Sequence, residues 1–264
     1  MPNSIDRFTN RADNYARYRP TYPPEAIAWL VHSAGLKTTD RIADIGSGTG
    51  ILTELLLRNG NEVLAVEPNP AMRALAERNL SDFPGFHSIA GTAEATTLPD
   101  QAVDWITAAQ AFHWFDPVSA RREFDRILKP GGKIALIWNS RRESGTPFLD
   151  GYQQVIDTFN TDRAGVDFKF VVDGAALDQF FGASGFREFT CVNVQVLDWD
   201  GLLGRIASTS FMPSPDTPGF AAMAAQLRAV FERCAVHGQV EMIYDTELYV
   251  SRDRGDVSPD TGKN

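Results

Sequence analysis

Short apolar runs alternate with helical patterns over residues 41–138, and this rhythm restricts the fold more than any other feature of the sequence. Five runs have the length and composition of buried strands: 41–45, 62–66, 86–90, 102–108 and 133–138. Three stretches between them carry apolar residues at helical spacing: 49–58, 70–80 and 116–128. Strands joined by helices of this length form parallel βαβ units, and right-handed crossovers leave few topologies. The rhythm therefore predicts a doubly wound α/β sheet.

The pattern loosens after Asn139, and a turn is predicted at 129–132 (KPGG), just before the fifth strand. Four further stretches have a helical pattern: 148–159, 174–181, 199–208 and 219–237. Two others, 187–197 and 240–250, alternate as strands do. We expect these two to complete a seven-stranded, mostly parallel sheet with an antiparallel strand at its C-terminal end, while the helices cover the active site.

The charge balance and the cysteines exclude several classes of partner. The formal net charge is −9, and no run of Lys and Arg offsets it, so we expect no binding to nucleic acid. No apolar leader and no apolar run of membrane-spanning length occurs, so we expect no membrane partner and a cytoplasmic location. Cys191 and Cys234 stand in no metal-ligand spacing, which predicts reduced thiols and no metal site.

A glycine-rich turn at 44–50 (DIGSGTG) leaves the first strand and enters a helix. Glycines permit a sharp turn and a close approach of the backbone to a ligand, and the helix start offers unpaired N–H groups. The spacing is GxGxG and differs from the GxGxxG of dinucleotide-binding proteins. Glu67 ends the second strand, 21 positions after Gly46, where a carboxylate suits the two hydroxyls of a ribose. Turn and carboxylate together predict a site for a nucleoside-bearing ligand.

Five segments in this order resemble the class I S-adenosylmethionine-dependent methyltransferases, whose fold is Rossmann-like. They are 44–50, 66–69 (VEPN), 91–99 (GTAEATTLP), 104–115 (DWITAAQAFHWF) and 129–132 (KPGG). The likeness covers about half of the chain and is closer to the type 11 small-molecule branch, which includes trans-aconitate and quinone-biosynthesis methyltransferases. The N-terminal segment 15–20 (YARYRP), followed by Tyr22 and Pro23, is similar to that branch as well.

The resemblance implies that S-adenosyl-L-methionine is the cofactor and S-adenosyl-L-homocysteine its product. Gly46, Ser47, Gly48 and Gly50 would pass near the methionine part. Asp44 would lie close to the amino group and Glu67 would bind the ribose hydroxyls. The remaining residues implied in cofactor binding are Asn69, Met72, Ala93 and Glu94 around the adenine, Gln110 beside the methionine, and Tyr15 and Arg19 closing over the carboxylate.

The acceptor side is less defined by the sequence. His113 follows the fourth strand and is the candidate general base, with a structural or substrate-orienting role as the alternative. Trp114 and Phe115 are candidates for the wall of the acceptor pocket. Asn139 and Arg141 follow the fifth strand, where an arginine would suit a carboxylate acceptor and a solvated loop is the alternative. Acceptor choice is expected to depend on 146–173 and 208–211.

The expected function is methyl transfer to a small molecule, with an oxygen, nitrogen or carbon acceptor left open. A catalytically inactive S-adenosylmethionine-binding regulatory or scaffold protein is the alternative, and a nicotinamide-dependent oxidoreductase lacks its GxGxxG and Tyr-x-x-x-Lys signals. The oligomeric state stays open between monomer and homodimer. Along the chain we expect N-terminal cap helices (1–35), a cofactor-binding core (36–140), an acceptor-site cover with the completing strands (141–250) and a disordered tail (251–264).

Overall fold

A computed structural model describes residues 18–161, 174–209 and 211–252. Seven strands occur in this part of the chain: β1 (Arg41–Ile45), β2 (Glu62–Val66), β3 (Phe86–Ile89), β4 (Val103–Ala109), β5 (Leu128–Arg141), β6 (Phe186–Leu197) and β7 (Val240–Ser251). The α-helices of the same part are α1 (Pro24–His32), α2 (Ile51–Arg58), α3 (Pro70–Leu80), α4 (Pro117–Ile127), α5 (Pro147–Phe159), α6 (Gly174–Phe181), α7 (Trp199–Ala207) and α8 (Phe220–Cys234). Among these described helices, none is long and apolar enough to cross a membrane.

The seven strands form one sheet in the order β3-β2-β1-β4-β5-β7-β6. β1 to β5 are mutually parallel where they pair, and β7 lies antiparallel between β5 and β6. The predicted seven-stranded, mostly parallel sheet with an antiparallel strand near its C-terminal end is therefore confirmed. The strand order reverses between β1 and β4, which is where ligands bind in doubly wound sheets.

Local sequence signals explain where the helices begin. The Asn69 side chain accepts hydrogen bonds from the backbone N–H groups of Ala71 and Met72, and Pro70 fills the first helical position of α3. Asp116 caps α4 in the same way through the N–H of Ser119. These caps place the start of α3 beside the end of β2, next to Glu67.

The predicted turn at 129–132 is part of β5, so that boundary was wrong. Val103 pairs with Leu128 and Trp105 with Lys133, so the intervening residues bulge out of the ladder without ending it. The predicted helix 219–237 ends at Cys234, because the backbone turns back at His237, with φ of 51°, and at Gly238. Ser251, assigned to the tail, completes β7, and 253–264 lie outside the described residues.

Helices cover both faces of the sheet and enclose two apolar layers. One layer packs α4 and α6 against the sheet around Phe124 and Phe180, and the other packs α1, α2 and α3 around Leu30 and Leu56. A third cluster joins α5, α7 and α8 to the first half of β7 around Tyr244. This third cluster forms a cover beyond the carboxyl end of β5, so a ligand at the carboxyl ends of the parallel strands lies beside it.

Candidate functional site

The glycine-rich loop between β1 and α2 needs glycine at three alternate positions. Gly46, Gly48 and Gly50 have φ of +68°, +57° and +88°, a region that side chains disfavour. A Cβ on Gly46 would lie 2.6 Å from the Cβ of Ala111, and one on Gly50 would lie 2.6 Å from Leu80 Cδ1. Two of the glycines thus allow close packing, while Gly48 turns its open side toward the space above the sheet.

Asp44, at the carboxyl end of β1, is buried below this loop. Its carboxylate accepts hydrogen bonds from the hydroxyls of Thr53 (2.6 Å) and Thr107 (2.8 Å). Burial raises the pKa of Asp44 to about 6, the two hydroxyls act in the opposite direction, and the negative charge of Glu67 raises the pKa further. The carboxyl group therefore changes charge close to neutral pH.

Glu67 follows β2 and holds the glycine-rich loop from the side. One carboxylate oxygen accepts the N–H of Gly48 at 2.9 Å and the other accepts the N–H of Asn69 at 2.8 Å. Burial raises the pKa of Glu67, and these two N–H groups oppose the rise. A carboxylate has about four lone-pair positions, so these contacts leave capacity for two hydroxyl donors.

A cavity of about 410 Å³ opens above the loop, at the carboxyl ends of β1, β2 and β4. It is within the usual size range of small-molecule sites. The sequence-predicted residues that line it are Asp44, Gly46, Ser47, Gly48, Glu67, Asn69, Met72, Ala93, Glu94, Gln110, Trp114 and Phe115. The structure thus brings together, around one cavity, predicted residues from four separate segments of the chain.

Several lining residues were missed by sequence reasoning: Tyr22, Thr49, Ile51, Leu52, Pro68, Thr92, Ala109 and Ala111. Thr49 is the informative one, because its hydroxyl is buried and has no hydrogen-bond partner within the described part of the chain. Its position inside the glycine-rich motif could have signalled it. The apolar residues give no local signal, since their pattern is that of ordinary core.

Other predicted site residues lie outside the lining that the structure describes. Gly50 lies below the loop against Leu80, and Tyr15 lies outside the described residues. Arg19, His113, Asn139 and Arg141 are not among the described residues that line the cavity. Their roles stay predictions.

The segment after β4 is strained and aromatic. Gln110 has φ of 53°, which is uncommon for a residue with a side chain, and its amide donates to the backbone oxygen of Asn139 at 2.9 Å. A 3₁₀ turn follows (Phe112–Trp114), in which the His113 and Trp114 ring centroids are 4.9 Å apart. Loss of solvation by surrounding protein, with the nearby charge of Arg19, lowers the pKa of His113 to about 4. His113 is therefore neutral at pH 7, and its low pKa makes it a weak proton acceptor.

Asn139 lies in a buried polar network at the end of β5. Its side-chain oxygen accepts hydrogen bonds from Asn193 (3.2 Å) and Thr246 (2.5 Å), and its amide donates to the backbone oxygen of Thr21 at 3.2 Å. Asn193 donates to the same oxygen at 2.7 Å. The network therefore anchors the segment that carries Tyr22 into the cavity.

Arg141, the last residue of β5, and Arg142, which follows it, make different side-chain contacts. Arg141 lies over the ring of Tyr152, 5.1 Å from its centroid, and donates to Gln153. Arg142 forms an ion pair with Asp245, with the closest N–O distance at 2.7 Å. In the described ranges, no three His, Cys, Asp or Glu side chains are grouped as metal ligands.

Comparison with known proteins gives a consistent result for the first half of the chain. Residues 43–136 match the family described as a methyltransferase domain. An uncharacterised methyltransferase of Mycobacterium tuberculosis is 43% identical over 136 residues, which cover 52% of this chain and 53% of that protein. The ubiquinone/menaquinone biosynthesis C-methyltransferase of Proteus mirabilis is 29% identical over 50% of this chain and 53% of its own length. The chain spans about half the length of these curated relatives.

Solved structures extend the likeness in fold to most of the chain. A candidate type II methyltransferase from Anaeromyxobacter dehalogenans superposes with a TM-score of 0.66 at 22% identity, covering 89% of this chain and 98% of that one. A candidate methyltransferase from an antibiotic biosynthesis pathway of Anabaena variabilis gives 0.56 at 20% identity, covering 88% and 98%. At these identities the likeness concerns the fold alone.

Proposed function

Residues 43–136 match the methyltransferase domain family, and from this match we propose that the protein transfers a methyl group from S-adenosylmethionine to a small-molecule acceptor. The observation that supports it most is the pair of buried carboxylates, Asp44 and Glu67, in one cavity above the glycine-rich loop. Two negative charges suit a ligand with an ammonium group, a sulfonium and ribose hydroxyls. They oppose the pyrophosphate of a nicotinamide dinucleotide, which the GxGxG spacing also disfavours.

The residues of the cavity fit this cofactor. In our assignment, Glu67 accepts the ribose hydroxyls with its remaining lone pairs and Asp44 attracts the amino group. The buried Thr49 hydroxyl supplies a further polar contact beside Ser47 and Gly48. Asn69, Met72, Ala93 and Glu94 hold the adenine, and Gln110 lines the methionine side.

The cofactor, when bound, would supply a methyl group on a positively charged sulfur, and in-line attack by the acceptor on the methyl carbon would release that sulfur as a neutral thioether. The chain contributes mainly position, since holding the reacting groups in line is worth about 7–11 kcal/mol in well-oriented systems. Trp114 and Phe115 present aromatic faces on the cavity wall, where they favour a cation. An oxygen acceptor, on a carboxylate or a hydroxyl, stays a prediction, as do the monomeric or homodimeric state, a cytoplasmic location and the absence of nucleic acid.

Calorimetric titration of the purified chain with S-adenosylmethionine, S-adenosylhomocysteine and NAD tests the proposal. We expect the first two to bind at one site and NAD not to bind. Binding of NAD alone, or of none of the three, would contradict it. Binding without turnover of any acceptor in a screen of small carboxylic acids and alcohols would favour the regulatory or scaffold alternative.

His113 is assigned as the general base for an acceptor that must lose a proton. Because its pKa is about 4, the neutral form persists through most of the acidic range. With a turned-over acceptor, we expect His113→Ala to lower kcat by roughly 10²–10⁴-fold. His87→Ala, which alters a histidine next to Glu62 at the opposite end of the sheet, should leave kcat unchanged. Equal kcat in His113→Ala and the unaltered protein would refute the base role.

A further inference from the structure

Arginines from three segments of the chain converge beyond the carboxyl end of β5. Arg205, on α7, is buried and donates to the Tyr244 hydroxyl and to Thr209, each at 3.2 Å. Arg141 pairs directly with Tyr244 in the ladder between β5 and β7, so the two side chains share one face of the sheet. The Arg19 guanidinium approaches the backbone oxygen of Ser208, one residue past α7, at 3.5 Å.

This arrangement places the half-buried Arg141 beside the buried Arg205, so like charges lie together with little access to water. Burial lowers the pKa of Arg141, and the positive charge of Arg205 lowers it further, so the two guanidinium groups repel each other; the phenol of Tyr152 and the carboxylate of Glu143 act in the opposite direction without reversing the shift. Arg141 makes no ion pair with any residue in the described ranges; its contacts are the ring of Tyr152, Gln153 and the backbone oxygen of Arg142. Bringing cations together away from water destabilises a protein unless an anion joins them.

Two buried tyrosines form the floor of this cluster. Tyr152, on α5, lies beneath Arg141, and the charges of Arg205 and Arg141 oppose the rise in its pKa that burial causes. The Tyr244 hydroxyl accepts from Arg205 and donates to the side-chain oxygen of Gln195 at 3.1 Å. Guanidinium groups set around phenol rings match the hydrogen-bonding pattern of a carboxylate or phosphate.

The cluster lies within small-molecule distance of the cofactor cavity. The segment 18–22 connects the two: the Tyr18 backbone oxygen accepts from Gln195 beside the cluster, and Tyr22 lines the cavity. Three residues of extended chain, from Arg19 to Tyr22, span at most about 11 Å. Arg19 is also near enough to His113 for its charge to lower the imidazole pKa. A molecule of a few carbon atoms could therefore contact the cluster with one end and reach the cavity with the other.

We propose that Arg141 and Arg205, with Arg19 at the edge, form an oxyanion-binding subsite that holds a carboxylate or phosphate group of the methyl acceptor. Only the identification of the bound molecule as the methyl acceptor rests on the proposed function, because anion binding itself does not require methyl transfer. An acceptor held there presents its other end toward His113 and the cavity. Arg205 thus becomes a specificity-determining residue in a helix where the sequence showed only a helical pattern.

Anion binding, measured by calorimetry at fixed ionic strength, tests the subsite. The probes are citrate for carboxylates and pyrophosphate for phosphates, each titrated with and without saturating S-adenosylhomocysteine. We expect the unaltered protein to bind at least one probe and Arg205→Met and Arg141→Met each to weaken that binding at least about tenfold, since charge-assisted hydrogen bonds are lost. The probe that binds more tightly identifies the acceptor group as carboxylate or phosphate.

Arg142→Met is the matched control, because it removes the same charge from the neighbouring residue, which pairs with Asp245. We expect it to bind the probe within about twofold of the unaltered protein, as a screened surface charge would. Equal weakening in all three variants, or no binding of either probe to the unaltered protein, overturns the proposal. Should Arg205→Met fail to fold, Arg205→Lys keeps the charge, loses the planar fork, and should still weaken binding.

Thermal unfolding separates a ligand site from a structural role. If Arg205 binds an anion, the Tm of Arg205→Met should be no lower than that of the unaltered protein. Citrate or pyrophosphate should then raise the Tm of the unaltered protein and leave the Tm of Arg205→Met unchanged. A lower Tm for Arg205→Met, with unchanged anion affinity, assigns a structural role and overturns the subsite. Titration of every variant with S-adenosylhomocysteine distinguishes failure of the two proposals. If S-adenosylhomocysteine does not bind the unaltered protein, the proposed methyl transfer is contradicted, while the citrate and pyrophosphate titrations still decide the subsite.

Discussion

Two carboxylates, Asp44 and Glu67, share the floor and side of one cavity, and each is kept from water by the fold. Their raised pKa values mean that the folded protein holds its negative charges there at a cost. A cationic ligand offsets that cost when it binds. The same carboxylates therefore weaken the empty fold and favour the complex, a common balance at binding sites.

Replacement of Glu67 by alanine removes the proposed ribose acceptor. We expect the affinity for S-adenosylmethionine to fall at least about tenfold, since hydrogen bonds to a charged group contribute roughly 1.5–3 kcal/mol. Calorimetric titration measures the change. Glu62→Ala is the control, because Glu62 is the first residue of β2, at the end opposite to Glu67, and forms an ion pair with Arg41. Unchanged affinity in a folded Glu67→Ala protein would refute the ribose assignment.

The pH dependence of cofactor affinity tests the role of Asp44. In the folded protein the raised pKa of Asp44 favours the neutral carboxyl group. The contribution of Asp44 to the free energy of unfolding is therefore fully present below pH 3.8 and is lost as the pH rises through about 6. A cationic ligand favours the charged form, so affinity should increase about tenfold from pH 5 to pH 7. Calorimetry at both values measures this increase.

Asp44→Asn should abolish this increase and bind more weakly at pH 7. Asp104→Asn, whose carboxyl has a lowered pKa at the other end of the sheet, should keep the increase. Glu67, whose pKa is also raised, is the other carboxyl group of the cavity that could contribute a pH dependence. A pH dependence that survives in Asp44→Asn would assign it to another group.

Sequence reasoning located the cofactor side of the site better than the acceptor side. Asp44 and Glu67 stand in a motif that couples a strand end to a turn, so their position follows from the chain alone. Arg205 gave no comparable signal, because a single arginine in an amphipathic helix is normally on the surface. Its burial results from α7 packing against β7, a contact between residues 39 positions apart.

At the scale of elements, the turn between β1 and α2 is held by backbone geometry and by contact with the segment after β4. Gly46→Ala should lower the free energy of unfolding by about 2–4 kcal/mol, since it adds a positive-φ cost to a clash with Ala111. Gly131→Ala meets the φ cost alone, with nothing within 4 Å of the added Cβ, and should lose about 1–2 kcal/mol. Denaturant unfolding measures both, and equal losses would contradict the close approach.

Element boundaries followed the sequence where a local signal fixed them. Pro70 after Asn69 starts α3 where predicted, because cap and proline act within one turn. The bulge in β5 could not be read from 129–132, since glycine and proline mark a chain reversal and a bulge alike. The early end of α8 depends on a short bridge between Val236 and Gln239, which no helical pattern reveals.

At the scale of the whole molecule, the first half of the sheet and the later helices differ in how far relatives inform them. The family match ends at residue 136, whereas α5, α7 and α8 build a separate apolar cluster from later residues. Arg141 and Arg205 lie on that later part and Arg19 precedes the match, so the family match does not cover the proposed anion subsite. Sequence reasoning about acceptors named single residues only after β4 and at the end of β5, and gave the later part as two ranges, 146–173 and 208–211.

The position of β7 between β5 and β6 affects the order in which parts of the sheet can form during synthesis. β5 ends at residue 141, and the strand that completes its ladder begins at residue 240. At about 5–20 residues per second, a ribosome needs roughly 5–20 s to synthesise that interval. During this time the edge of β5 is open and the Arg141–Tyr244 pairing cannot form. The nascent chain thus has every strand that lines the cavity before it has the proposed anion subsite, and 240–251 is the segment that completes both the sheet and that subsite.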